Sequence, residues 1–107
     1  DPVQVNMELY REIQTLAPFG VGNPEPHFWM KRLKVLSARR VGNSKNHLKL
    51  KLAGEDEMLD CIGFGMGESL PKLKEEKTVN PVFTIDLNEW GGRKKIQLKL
   101  EDFVLQS

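Results

Sequence analysis

Residues His47-Leu48-Lys49-Leu50-Lys51-Leu52 alternate polar and apolar side chains without error. A period of two is the signature of a β-strand with one buried face. It sends Leu48, Leu50 and Leu52 inward and leaves His47, Lys49 and Lys51 outside. The same period returns downstream. Val79, Pro81, Phe83, Ile85 and Leu87 alternate against Val82, Thr84 and Asp86. Ile96, Leu98 and Leu100 then point inward from a last strand that leaves Lys95, Gln97 and Lys99 outside. Trp90-Gly91-Gly92-Arg93 joins these two runs as a hairpin turn.

The other elements follow from spacing and punctuation. Asn6 is an N-cap for a helix whose apolar positions, Leu9, Tyr10, Ile13, Leu16 and Ala17, recur at helical spacing until Pro18 stops the run. Pro18 to Pro26 holds two glycines and further prolines, which makes it an ordered connector rather than a flexible linker. Phe28 to Val41 reads as one long first strand, with Leu33 and Val35 alternating against Arg32 and Lys34, and Gly42-Asn43-Ser44 ends it as a turn. Met58 to Phe64 is a third strand, but both of its parities are fairly apolar and its faces stay unassigned. Glu68 to Leu73 is a short helical segment. The chain therefore divides into a helix and connector over residues 1–27 and a β-domain over 28–107.

Five strands with a helix between the third and fourth is the order of the OB-fold, a small Greek-key barrel. The expected fold is thus mainly β: a five-stranded OB barrel with an N-terminal helix and a short internal one. An SH3-like barrel also has five strands, but the Glu68–Leu73 segment favours the OB order. In that fold ligands lie across strands two and three, between the loop joining strands one and two and the loop joining four and five. Here those loops are Gly42 to Asn46 and Asn88 to Lys94.

With 107 residues there is room for one domain and one core. No stretch approaches the length of apolar residues that a membrane span needs, and the N-terminus lacks a signal pattern, so the expected location is the cytoplasm, with no membrane partner. A single cysteine, Cys61, makes no intramolecular disulfide and reads as a small buried hydrophobe. Two separated histidines leave no zinc site of the usual spacing. Gly63-Phe64-Gly65-Met66-Gly67 lacks the Lys-Ser/Thr ending of a phosphate-binding P-loop. Glu55, Asp56, Glu57 and Asp60 form an acidic group without calcium-loop spacing, read as solvated. The start at Asp1 suggests a piece of a longer protein, and no cofactor is expected within this piece.

Charge supplies the functional signal. The net charge is only +1, from 16 Lys+Arg and 15 Asp+Glu. Yet residues 28–54 carry eight bases and residues 90–100 four more, and neither window contains an acid. This is a basic face on a nearly neutral protein. Cations along a groove neutralise phosphates, and aromatic faces stack exposed bases, which are the two requirements for holding a single nucleic-acid strand.

The run Leu16-Ala17-Pro18-Phe19-Gly20-Val21-Gly22-Asn23-Pro24-Glu25-Pro26, then His47-Leu48-Lys49-Leu50 and Phe64-Gly65-Met66-Gly67, resembles the OB domain of RecJ-type single-strand-specific DNA exonucleases. The likeness continues through Asn88-Glu89-Trp90 and Ile96-Gln97-Leu98. It implies a domain placed toward the C-terminal side of a catalytic core whose Asp/His motifs bind manganese or magnesium and hydrolyse DNA from the 5′ end. Those motifs are absent here. The resemblance therefore implies DNA capture by this chain, in repair and recombination, and cleavage by a core elsewhere in the same polypeptide.

The candidate DNA-binding residues are Lys49 and Lys51 on the outward row with His47, Arg39, Arg40 and Lys45 around the first loop, and Arg93, Lys94, Lys95 and Lys99 around or after the second. Arginine binds phosphate bidentately or stacks on bases, which favours Arg39, Arg40 and Arg93. Lys31, Arg32 and Lys34 have no firm orientation. Of the aromatics, Phe19, Phe28, Phe83 and Phe103 fit core or connector positions. Phe64 and Trp29 either meet DNA or face the core, and Trp90 either stacks a base or closes the barrel end. The rival to DNA capture is a structural or docking barrel that closes the enzyme around its core or binds a partner such as a single-strand-binding protein.

Overall fold

The computed structural model describes residues 5–20, 22–54, 57–73 and 77–106, with the side chains of Trp90 and Gln106 excepted. Helix α1 spans Met7–Gln14, and the Asn6 side chain caps it by accepting from the Leu9 amide at 2.9 Å. Its strands are β1 (Phe28–Trp29), β2 (Leu33–Val41), β3 (His47–Ala53), β4 (Met58–Gly63), β5 (Thr78–Trp90) and β6 (Arg93–Gln106). A 3₁₀ segment, η1 (Gly67–Lys72), lies between β4 and β5.

Strand β2 pairs with β3, β3 with β4, β4 with β6, β6 with β5, and β5 returns to β2, so five strands close a ring. Only the β4–β6 pair is parallel. The alternating leucines behave as their period requires: Leu48, Leu50 and Leu52 are fully or almost fully buried, as are Val79, Phe83, Ile85, Leu98 and Leu100. Leu73, just after η1, is fully buried in the same core. Between β5 and β6, Gly91 and Gly92 both take positive φ, 54° and 77°, as a two-residue type I′ hairpin requires.

Three expectations need correction. The single strand over Phe28 to Val41 is two strands. Arg32 sits at φ 60° with its amide donating to Asn80 Oδ1 at 2.8 Å, and this corner sends β1 onto β5 while β2 enters the barrel. Phe28 nevertheless joins the core by stacking on Phe83, with ring centroids 6.2 Å apart. The helix ends at Gln14 rather than running to Pro18. Leu16 and Ala17 are exposed, because the chain turns away there and the Asn23 side-chain amide donates to the carbonyls of Leu16 and Pro18. The third strand stops at Gly63, leaving Phe64 outside it. Within the connector Val21 lies outside the described residues, as do Glu55 and Asp56 of the acidic group.

A register shift between Val35 and Ser37 makes Leu36 an extra residue in β2. Without it, Arg39 would share the inward parity of Leu33 and Val35. With it, Ser37, Arg39 and Val41 stand opposite Lys51, Lys49 and His47 on the outside.

Strand β4 now has assigned faces: Leu59 and Cys61 point in, Asp60 and Ile62 sit opposite Lys51 and Lys49. Cys61 is fully buried. Burial pushes its thiol up from 9.0 to about 12, against a smaller lowering pull from the Lys49 charge. The thiol therefore stays protonated and inert at neutral pH. Iodoacetamide at pH 8 is expected to label the native chain roughly a thousandfold more slowly than the urea-unfolded chain. The unfolded state binds fewer protons above its ordinary thiol pKa, so this group's contribution to stability falls as pH rises from 9.0 toward about 12. Rapid labelling of the folded chain would contradict that burial.

Candidate nucleic-acid interface

The outward rows of β2, β3 and β4 form one surface. Arg39 on β2 and Lys49 on β3 are a direct cross-strand pair, so two cations face each other on the same side of the sheet. Like charges in that relation are destabilising. Among the described residues, neither has an ion-pair partner within 4 Å. Lys51 follows on β3, and Lys99 of β6 pairs in register with Ile62 of β4. The arrangement concentrates positive charge on this face of the sheet.

Asp60 lies within this cationic surface. Its carboxylate meets Lys95 Nζ at 2.6 Å and Lys51 Nζ at 4.0 Å. Burial pushes the Asp60 carboxyl up, but the Lys95 hydrogen bond and the charges of Lys95, Lys51 and Lys49 outweigh it and hold the group below its ordinary value. A shallow depression of about 190 Å³ lined by Lys49, Asp60, Asn88, Lys95 and Gln97 opens beside it. Asp60, grouped from its sequence with the solvated acids Glu55, Asp56 and Glu57, is instead held by lysines on the strand surface. The signal was present in the parity of β4, which becomes readable once Leu59 and Cys61 are assigned to the core.

At the other end of the β3 row the β2–β3 loop meets η1. The Gly67 amide donates to Asn46 O at 2.7 Å, and a Cβ on Gly67 would stand 2.8 Å from the carbonyl oxygens of Lys45 and Asn46, so only glycine allows this approach. Arg40, on the opposite parity to Arg39, donates from Nε to Gly67 O at 2.8 Å. A depression of about 470 Å³ lies between the two segments, lined by Arg40, Ser44, Lys45, Asn46 and Glu68. Beside it the Gly65 amide donates to His47 Nδ1 at 2.9 Å, which places the ring's own proton on Nε2. Phe64 contacts that ring edge-on at 5.3 Å and is 56% exposed. Its ring thus sits against His47, the first residue of β3.

The structure therefore brings Arg39, Lys49, Lys51, Lys95 and Lys99 into one group, and Arg40, Lys45, His47 and Phe64 into a second group continuous with it along β3. Arg93 and Lys94 stand exposed at the β5–β6 hairpin, with Glu89 opposite Lys94. Trp90 closes that ladder opposite Arg93, and its side chain lies outside the described residues. Trp29 is on β1 under Lys31 Nζ, 5.1 Å from the ring centroid, on the far side of β5 from β2 and β3 in sheet order.

A closed barrel in this strand order, with one parallel pair and a short helix between its third and fourth strands, is an OB-fold, the class whose second and third strands carry oligonucleotides and oligosaccharides. Residues 1–102 match the family model of the RecJ OB domain, and the chain belongs to that family. It is 34% identical over 98 residues to the single-stranded-DNA-specific exonuclease RecJ of Bacillus subtilis, covering 92% of this chain and 12% of the relative. RecJ of Haemophilus influenzae is 31% identical over 103 residues, covering 94% of this chain and 18% of that protein. The chain thus spans less than a fifth of the relatives it matches. Its fold is similar to part of RecJ from Thermus thermophilus, solved with Mg2+, at a TM-score of 0.64 and 24% identity over 91% of this chain and 14% of the other. An aspartyl-tRNA synthetase from Entamoeba histolytica shares the fold at a TM-score of 0.61 and 13% identity, covering 87% of this chain and 20% of that one.

Proposed function

We propose that this chain is the single-stranded DNA-binding module of a RecJ-type exonuclease, guiding the strand to a separate metal-dependent core that cleaves from the 5′ end in cytoplasmic DNA repair and recombination. The observation that carries the reading is the cross-strand Arg39–Lys49 cation pair within the row continued by Lys51 and Lys99. Such a row tracks phosphates without reading bases. Phe64 supplies a stacking surface at its end. Membership of the RecJ OB family and the single-stranded-DNA specificity of the relatives support the same reading. Among the described residues no three His, Cys, Asp or Glu side chains cluster to hold a metal ion. In this reading the metal that the resemblance implies belongs to the catalytic core.

The deciding experiment is a fluorescence-anisotropy titration of the 107-residue chain with labelled single-stranded and duplex oligonucleotides of equal length at two salt concentrations. The single strand is expected to bind preferentially. Its affinity should fall with salt at about 0.7 log units per log unit for each phosphate engaged. Absence of binding at low salt would shift the reading to a docking barrel. One observation favours that second role for another face: Trp29 and Val104, 62% and 61% exposed, lie on the same side of the β1–β5–β6 ribbon with Val82 between them.

A further inference from the structure

Asp60 is the only acid on the outward rows of β3 and β4. It is not needed there for the core, since its neighbours Leu59 and Cys61 point inward and it points out. An ion pair with a lysine whose side chain is 64% exposed contributes little to stability, so holding the fold together does not explain it either. Its surroundings are those of a phosphate: Lys95 at 2.6 Å, Lys51 at 4.0 Å, and the Lys49 charge close enough to act on it. Only the ammonium of Lys95 is tied down, and its long flexible stem lets that head move to another anion.

We propose that Asp60 occupies the position of a nucleotide phosphate in the unbound protein, holding Lys95 and drawing on Lys51, and that a backbone phosphate of the incoming strand takes Lys95 from it. This inference rests on the single-strand interface proposed above. The carboxylate keeps the cations of the face from repelling one another while the site is empty. When the strand arrives, it competes for the same ammonium and repels the phosphate beside it. The result is a site that holds DNA more weakly than its cations alone would and releases it sooner. A module that feeds a strand progressively into a nuclease needs such release, since a tightly held phosphate backbone would stall advance.

The test is a double-mutant cycle on the 107-residue chain, read by anisotropy with labelled oligothymidylate at several salt concentrations. Asp60→Asn is expected to tighten binding about five- to tenfold and to steepen the salt dependence by about 0.7 for the lysine set free. In a Lys95→Met background the same substitution should tighten binding far less. Asp60→Ser, with a side chain of different size, should reproduce the sign should Asp60→Asn disturb the fold. Equal gains with and without Lys95 would overturn the ion-pair role. So would unchanged or weaker binding by both Asp60 variants, provided the unmodified chain binds and Lys49→Glu weakens it. Should the unmodified chain, Lys49→Glu and the Asp60 variants all fail to bind at low salt, the single-strand interface itself is wrong, and this inference falls with it.

Discussion

The double charge reversal Lys49→Glu with Lys51→Glu is expected to weaken single-stranded DNA binding on the order of 100-fold at low salt and to flatten the salt dependence by about 1.4, the loss of two phosphate contacts. Both side chains stand on the outward parity of β3, opposite Arg39 and Ser37, so the core leucines between them are untouched. Thermal stability should change little, because Lys49→Glu converts the cross-strand cation pair with Arg39 into an attractive one while Lys51→Glu sets a carboxylate opposite Asp60. A folded double variant that binds as well as the unmodified chain would remove β3 from the interface. An equal loss accompanied by a collapsed melting transition would assign Lys49 and Lys51 to the fold instead.

Phe83→Ala is expected to cost about 3–5 kcal/mol of stability. Phe83 is fully buried on β5, stacks on Phe28 and sits where the β5–β6 register shifts. Its truncation removes the partner that ties β1 to the barrel and leaves a cavity among Leu98, Leu100 and Ile85 that rigid strands cannot close. For a domain of this size the melting temperature should fall by about 15–30 °C, read by circular dichroism. Because the marginal stability of small domains is only about 5–15 kcal/mol, the variant stands near the limit of folding at all. A shift of only a few degrees would mean that the barrel is filled by its leucines and that the aromatic pair is incidental.

Much of this architecture was legible before any coordinates, for a physical reason. Burial on one face of a strand writes a period of two into the chain, and the leucines of β3 and the inward residues of β5 and β6 show it openly. Asn6 and the Gly91-Gly92 turn were readable because their chemistry is local: a cap needs one side-chain oxygen, a type I′ turn needs two residues tolerant of positive φ. What could not be read depends on partners distant in sequence. Arg32 carries a positive φ that no glycine announces, held by Asn80 from another strand. Asp60 looked like one more acid near a loop until pairing with β3 placed it opposite Lys51. Arg39 and Arg40, adjacent in sequence and alike in chemistry, part company in space. One faces the open surface, and the other turns over the barrel end to the carbonyl of Gly67.

The extra residue in β2 bears on how changes in this chain should be interpreted. Leu36 is partly exposed, and its own side chain asks little of its surroundings. What matters is that β2 bulges the position out of its ladder, because a regular strand through Leu36 would turn over every side chain after it. A substitution there alters one contact, and a one-residue deletion would leave Val35 and Ser37 in plain alternation with Arg39 still opposite Lys49, whereas drawing Leu36 into the ladder would carry Arg39 to the interior and withdraw half of the opposed cation pair. The outer face of β2 thus depends on where the strand accommodates its surplus residue, and a relative lacking position 36 would present the same outer face on an unbulged strand.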